Sequence, residues 1–258
     1  MTRLPTSTLS KVPEVTLGFW IIKVLATTLG ETGGDAVSMS MNLGYALGSF
    51  IFFGIFAAAV VAQIFAKAFH PLLYWVTIVA TTTLGTTMAD FADRSLGIGY
   101  SGGSAILFAG LIASLAVWRW SEGSISVNTV ATPRVEMFYW VAILFSQTLG
   151  TALGDWMADT NGLGYEGGAV VFAAGLAGVV AAYMYTKISH TLLFWAAFIL
   201  TRPLGATLGD LLDKPHNQGG LEISRYVASG ILAAIIVALV LIVPQRAGVH
   251  PGAREQNA

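Results

Sequence analysis

Five carboxylates stand inside stretches that are otherwise largely apolar: Glu31, Asp35, Asp90, Asp155 and Asp210. Only Lys23 and Arg202 bring positive charge to the same stretches. Carboxylates held close together at low dielectric cannot all stay ionised alone. They take up protons, pair with the two bases or hold a cation, and each outcome is a transport chemistry. The side chains around them are threonines, so a site built here is all oxygen. Such a site suits a hard cation (Mg²⁺, Ca²⁺, Mn²⁺ or Na⁺) better than copper. The expected metal ligands are Asp35, Asp90, Asp155 and Asp210, with Glu31 beneath them.

The spacing of these acids is regular. Each Asp lies fifteen residues after a Trp, with a Leu-Gly between: Trp20–Leu29-Gly30–Asp35, Trp75–Leu84-Gly85–Asp90, Trp140–Leu149-Gly150–Asp155 and Trp195–Leu204-Gly205–Asp210. The motif reads LGETGGD, LGTTMAD, LGTALGD and LGATLGD, without a gap in any copy. Four such copies are an internal repeat. The first half maps onto the second at an offset of 120 residues, which also relates His70 to His190. The pattern is that of a duplicated duplication.

On a helix, positions 7, 11 and 15 after the Trp share one face. They are Thr27, Glu31 and Asp35 in the first copy, and Thr82, Thr86 and Asp90 in the second. In the third they are Gln147, Thr151 and Asp155, and in the fourth Arg202, Ala206 and Asp210. Such a stripe cannot face lipid cheaply and is expected to point inward. The transport path is therefore expected along Thr27, Thr82, Thr86, Gln147, Thr151 and Arg202. Small residues four apart (Gly30/Gly34, Gly85/Ala89, Gly150/Gly154, Gly205/Gly209) let helix backbones approach. Four such helices round one axis would carry the acids at one end. Other readings stand beside this one. An Asp at a helix end can cap the next turn. Arg202, next to Pro203, can form an internal ion pair or act as a gate. Lys23 is expected to snorkel to the interface, the Trp residues to anchor there, and His70 and His190 to lie at the surface.

The elements that must position these residues are transmembrane helices. Hydrophobic residues make up 55% of the 258, and charged residues only 10%, against roughly 25% in soluble domains. The fold class is therefore all-α and polytopic. Eight stretches of about 20 apolar residues suffice to span a bilayer: roughly 18–38, 44–66, 71–92, 98–120, 136–158, 164–186, 191–213 and 223–243. Each repeat pairs a Trp–Asp helix with a plainer one, giving repeats 15–68, 69–121, 135–188 and 189–245 and a polar linker at 121–136. Two spans per repeat is an even number, so the pseudo-symmetry is expected to be parallel. Eight Lys and Arg fall on the side of the termini (Arg3, Lys11, Lys67, Arg119, Arg134, Lys187, Arg246, Arg254) and three on the other (Arg94, Lys214, Arg225). Positive charge favours the cytoplasmic side, so both termini are expected there, each as a polar tail. The Asp residues then lie about 22 Å beyond the Trp residues, at ~1.5 Å per residue. Asp93, Asp159, Glu166, Asp213 and Glu222 add charge at that outer mouth, either concentrating cations or as solvated surface.

With no Cys, disulfides and thiolate metal sites are excluded. No basic stripe points to nucleic acid. No catalytic spacing is visible, so an enzyme is not expected, nor a cofactor beyond a bound hard cation. The repeats, with stretches such as ATTTLGTTMADFADRSLGIGY and FILTRPLGATLGDLLDKP, resemble a family of bacterial membrane proteins built of four tandem two-helix repeats of unknown function, each with a marked tryptophan. The resemblance covers roughly residues 15–245 and implies an inner-membrane protein with eight spans, but no activity. The fourth copy departs from it, with His216-Asn217-Gln218-Gly219-Gly220 in place of a Gly-Tyr turn. The expected function is a transporter or channel for a small hard cation in the lipid bilayer, with a homo-oligomer allowed. The alternatives are a proton-coupled carrier of a small organic solute, with Arg202 meeting its anionic group, and a non-transporting scaffold.

Overall fold

The apolar stretches fold as helices in a computed structural model that describes residues 9–249. Arg3 and Arg254 of the charge comparison lie outside the described residues. The helices are α1 (Leu17–Asp35), α2 (Gly44–Phe65), α3 (Pro71–Asp90), α4 (Tyr100–Glu122), α5 (Pro133–Asp155), α6 (Gly164–Tyr185), α7 (His190–Asp213) and α8 (Arg225–Ile242). Local signals set several starts. The Thr16 and Thr132 hydroxyls accept the backbone N–H groups of Phe19 and Val135, which satisfies donors that a helix end leaves free. Pro71 and Pro133 open their helices where no N–H is needed.

Seven of these helices are long and apolar enough to cross a membrane; α1, which carries Lys23, Glu31 and Asp35, is not among the seven. The even-numbered helices expose large apolar side chains such as Phe50, Ile106, Val170 and Leu241. The chain is a multi-pass membrane protein. The odd-numbered helices are its interior. They pack in a closed cycle, α1 on α3, α3 on α5, α5 on α7 and α7 back on α1. Each plainer helix makes its main contact with the Trp–Asp helix of the following copy: α2 on α3, α4 on α5 and α6 on α7. The last, α8, returns to α1 and closes the outer layer.

The motif glycines explain the close inner contacts. A Cβ at Gly30 would strike the Thr82 side chain, one at Gly85 the Gln147 backbone, one at Gly150 Arg202 and one at Gly205 Thr27. Each glycine thus lies against position 7 of the next copy's polar face. One turn on, Gly34 meets Thr86, Gly154 meets Ala206 and Gly209 meets Glu31. Small-xxx-small here seats one helix against the polar stripe of its neighbour.

After Asp35, Asp90 and Asp155 the helix widens into a five-residue π turn: Ala36–Ser40, Phe91–Ser95 and Trp156–Thr160. The bonds Met41 N–H to Ala36 O, Leu96 N–H to Phe91 O and Asn161 N–H to Trp156 O close these turns at 2.9, 2.9 and 3.0 Å. The fourth copy has no such turn; α7 runs on to Asp213, followed by a 3₁₀ turn at His216–Gln218.

Two expectations are corrected at the other end. Trp75, Trp140 and Trp195 are not interfacial anchors but are buried, while Trp20 is partly so. Each Trp follows another aromatic residue, and Phe19, Tyr74, Tyr139 and Phe194 pack with them edge to face. The Tyr74 and Tyr139 hydroxyls lie 2.6 Å apart. Together these eight rings cap the inner four helices, because aromatic edges and faces complement each other. Nor are the described parts of the termini free tails. Strand β1 (Leu9–Pro13) pairs antiparallel with β2 (Ala247–Val249). The linker packs beneath: the Val130 carbonyl accepts the Lys11 N–H at 2.7 Å, and Ile125 O accepts the Trp195 indole N–H at 3.0 Å. Lys11 is tied into the same end of the molecule. Its ammonium meets Glu136 at 2.6 Å and the carbonyls closing α2 at Gln63 and Ile64.

Candidate functional site

The polar face of the four inner helices forms a column running from the aromatic cap to the Asp end. Its middle is an ion pair. Arg202 of α7 meets Glu31 of α1 at 2.9 Å, with Arg202 fully buried and Glu31 2% exposed. The same Arg202 Nη2 donates to Thr86 of α3 at 2.7 Å and to Thr151 of α5. All four inner helices therefore meet at one guanidinium. Pro203 stays within α7, and the helix continues past it.

The remaining path residues are all buried. The Thr27 hydroxyl bonds the carbonyls of Lys23, Val24 and, across to α7, Thr201. Thr86 reaches Gly30 O at 3.2 Å and Glu31 Oε2 at 3.3 Å. Thr82 packs on Gly30 with its hydroxyl unpartnered. Gln147 Oε1 accepts from Lys23 Nζ at 3.3 Å. Lys23 does not snorkel: it is fully buried, with its ammonium 4.1 Å from the Phe198 ring centre.

The four motif Asp residues lie at the far end, each no more than 3% exposed. They are joined in two pairs by bases that the sequence-based charge balance left out. Arg94 lies 2.8 Å from Asp90 and 3.2 Å from Asp155. Lys214 lies 2.5 Å from Asp35 and 2.9 Å from Asp210. Each base thus links its own copy's Asp to the Asp of the next copy in the cycle. The signal was present: Arg94 and Lys214 each follow a motif Asp by four residues, one helical turn, and correspond to each other at the 120-residue offset. Lys214 belongs to neither flanking helix. Burial opposes its charge, but Asp210, Asp35 and Asp213 outweigh that and hold the ammonium well above its usual range.

Two acids assigned to the outer mouth are not solvated surface. Asp213 is buried and meets Arg225 at 3.2 Å, while Arg225 also lies 3.7 Å from Asp35. Asp93 is buried against Gly103, both its oxygens without a hydrogen-bond partner. Asp93 and Asp213 correspond at the same offset, but the residue matching Arg225 is Ala105. The interior therefore holds more base than Lys23 and Arg202 alone. Asp35, Asp210 and Asp213 can still each present an oxygen within 4.8 Å of the others. One oxygen of Asp35 and one of Asp213 is buried without a hydrogen-bond donor. Three carboxylates at that spacing can hold a hard cation, provided that the Lys214 ammonium gives way. Glu31 faces Arg202 and is not part of this group. Asp90 and Asp155 form their own pair through Arg94.

The family model described as Repeat of Unknown Function (DUF347) matches the chain four times, at residues 18–69, 73–124, 138–189 and 193–243. No curated protein and no solved structure is significantly similar to the chain.

Proposed function

Since the chain belongs to the DUF347 family, a repeat of unknown function, we propose from its own geometry that it is a transporter for a small hard cation, with its path closed. The observation that carries this reading is the Asp35–Asp210–Asp213 group, whose oxygens converge within 4.8 Å around a tethered ammonium. A buried carboxylate cluster is costly in a membrane and marks ion pathways. In this reading Lys214 is the resident counter-ion and an arriving cation competes with it. Arg94 does the same for Asp90 and Asp155. Glu31 and Arg202 close the path midway, and the aromatic cap closes it beyond. The proposed arrangement has eight spans in parallel pseudo-symmetry, with α1 crossing as the shielded member of the inner ring. Both termini are cytoplasmic in an inner membrane, as the Lys and Arg distribution favours. The chain is proposed to have no catalytic activity.

A scaffold is the second reading, favoured by one observation: each motif Asp already has a base within 3.2 Å. Reconstituted protein separates the two. Vesicles carrying a cation-sensitive dye are challenged with Mn²⁺, Mg²⁺, Ca²⁺ and Na⁺, and bound metal is counted on the purified protein. Transport predicts uptake of at least one ion, lost in Asp210→Asn and Asp213→Asn. Folded variants that behave like wild type, with no ion bound or moved by either, leave the scaffold.

A further inference from the structure

Between α2 and α8 the outer layer leaves a cleft of about 280 Å³ along α3. Leu72, Trp75 and Thr83 of α3 line it, with Phe52 of α2 and Val237 of α8 on either side. It opens outward, where Ile55, Val76 and Val237 are about half exposed. Its hydrogen-bonding side chains are already engaged. The Thr83 hydroxyl donates to Val79 O at 2.8 Å, and the Trp75 indole N–H to Gln245 Oε1 at 3.2 Å. A cleft without free polar groups does not hold ordered water. In a bilayer, the medium that meets it is hydrocarbon. Leu72 and Thr83 are eleven residues apart, ~16 Å of helix at ~1.5 Å per residue. That is about half of the ~30 Å hydrocarbon core, the depth of the acyl chains of one leaflet.

The cleft begins at the end of the molecule where β1 and β2 pair, beside two bases. Gln245, which accepts the Trp75 indole N–H, is followed directly by Arg246. Lys67 lies in the short link between α2 and α3, five residues before Leu72. Both bases are exposed, and among the described residues neither is in an ion pair. The Glu14 N–H bonds the Arg246 carbonyl at 2.9 Å, but the Glu14 carboxylate makes no ion pair with that guanidinium. Bases at a membrane surface attract anionic headgroups. A second copy of the chain fits less well, since a helix is ~10 Å across and too wide to enter a cleft of this volume. We propose that the cleft is a binding site for an anionic phospholipid, with one acyl chain along α3 between α2 and α8 and the phosphate at Arg246 and Lys67. The site faces the bilayer at the end opposite the carboxylates, so it stands or falls independently of cation transport.

The test uses the full chain in detergent, stripped of lipid and titrated with phosphatidylglycerol or phosphatidylcholine whose acyl chains carry bromine. Bromine quenches the fluorescence of a tryptophan that it touches. Phosphatidylglycerol is expected to quench saturably, and the quenched component to be missing in Trp75→Phe. Lys67→Gln and Arg246→Gln are each expected to weaken phosphatidylglycerol binding about five-fold and to leave phosphatidylcholine unchanged. Ala233→Phe, which fills the cleft from α8, is expected to abolish the quenching. The proposal is overturned by quenching that does not saturate, or that is the same in Trp75→Phe or in folded Ala233→Phe. Equal affinity for the two lipids, or indifference to both base substitutions, overturns the anionic headgroup. A dimer by native mass spectrometry in which Trp75 is not quenched overturns the lipid in favour of a second copy. If Ala233→Phe does not fold, Trp75→Phe and the two base substitutions decide.

Discussion

At the residue scale the column is a set of charges whose partners come from other repeats. Arg202 is its most connected member, and a buried pair is far more sensitive to loss of one partner than its net worth suggests. Arg202→Met strands Glu31 and is expected to cost about 3–5 kcal/mol. Adding Glu31→Gln is expected to restore a large part of it, because the stranded charge is gone. Reversible unfolding of the two single variants and the double variant in detergent checks this. Equal losses for Arg202→Met with and without the second change would mean that the pair carries no coupling. Arg94 and Lys214 behave differently, since each links two carboxylates near the end of the column. Residue by residue, the sequence revealed the acids better than their partners. Asp, Glu and Thr stand out in an apolar stretch. A base beyond the last apolar residue looks like loop, and only its distance of one turn from a motif Asp marks it as part of the site.

At the scale of elements, the motif L-G-x-x-x-G/A-D seats each inner helix on the next. Gly150 is a sharp case, because an added Cβ would meet both the Arg202 side chain and the α7 backbone. Gly150→Ala is therefore expected to destabilise by about 1–3 kcal/mol through overpacking. Gly54→Ala, on the apolar helix α2 with open space at its Cβ, is expected to change stability little. Thermal unfolding of both variants tests the contrast, and equal shifts would sink it. Helix number, length and the inward polar face were legible, because a 3.6-residue period and a span length are written locally. Which helix touches which was not. No local pattern says that α2 packs mainly on α3, or that α8 returns to α1. The π turns were also hidden, since the residues after Asp35, Asp90 and Asp155 share no obvious signal. The aromatic cap had one, the Phe-Trp or Tyr-Trp pair in every copy. It was masked because a Trp at a span end reads first as an interfacial anchor.

At the scale of the whole molecule, the repeats are not separable units. Each plainer helix covers the next copy's inner helix, so a half-molecule lacks covers and partners at its cut edge. Residues 1–124 expressed alone are expected to be degraded or aggregated. Co-expressed with residues 125–258, they are expected to form a complex that co-purifies and unfolds as one. Independent folding of the first half, seen as a sharp melting transition without its mate, would contradict this. The return of α8 to α1 also sets an order of events during synthesis. Of these eight helices α1 is made before the others, and it is the one not among the seven long and apolar enough to cross a membrane. Two of its partners, α7 and α8, follow the other helices in the chain. Until they arrive, Lys23, Glu31 and Asp35 have no shelter from lipid that α1 itself can give. The nascent chain must keep its most polar helix in a protected place, at the insertion machinery or the membrane surface, until α7 and α8 have been made and can enclose it.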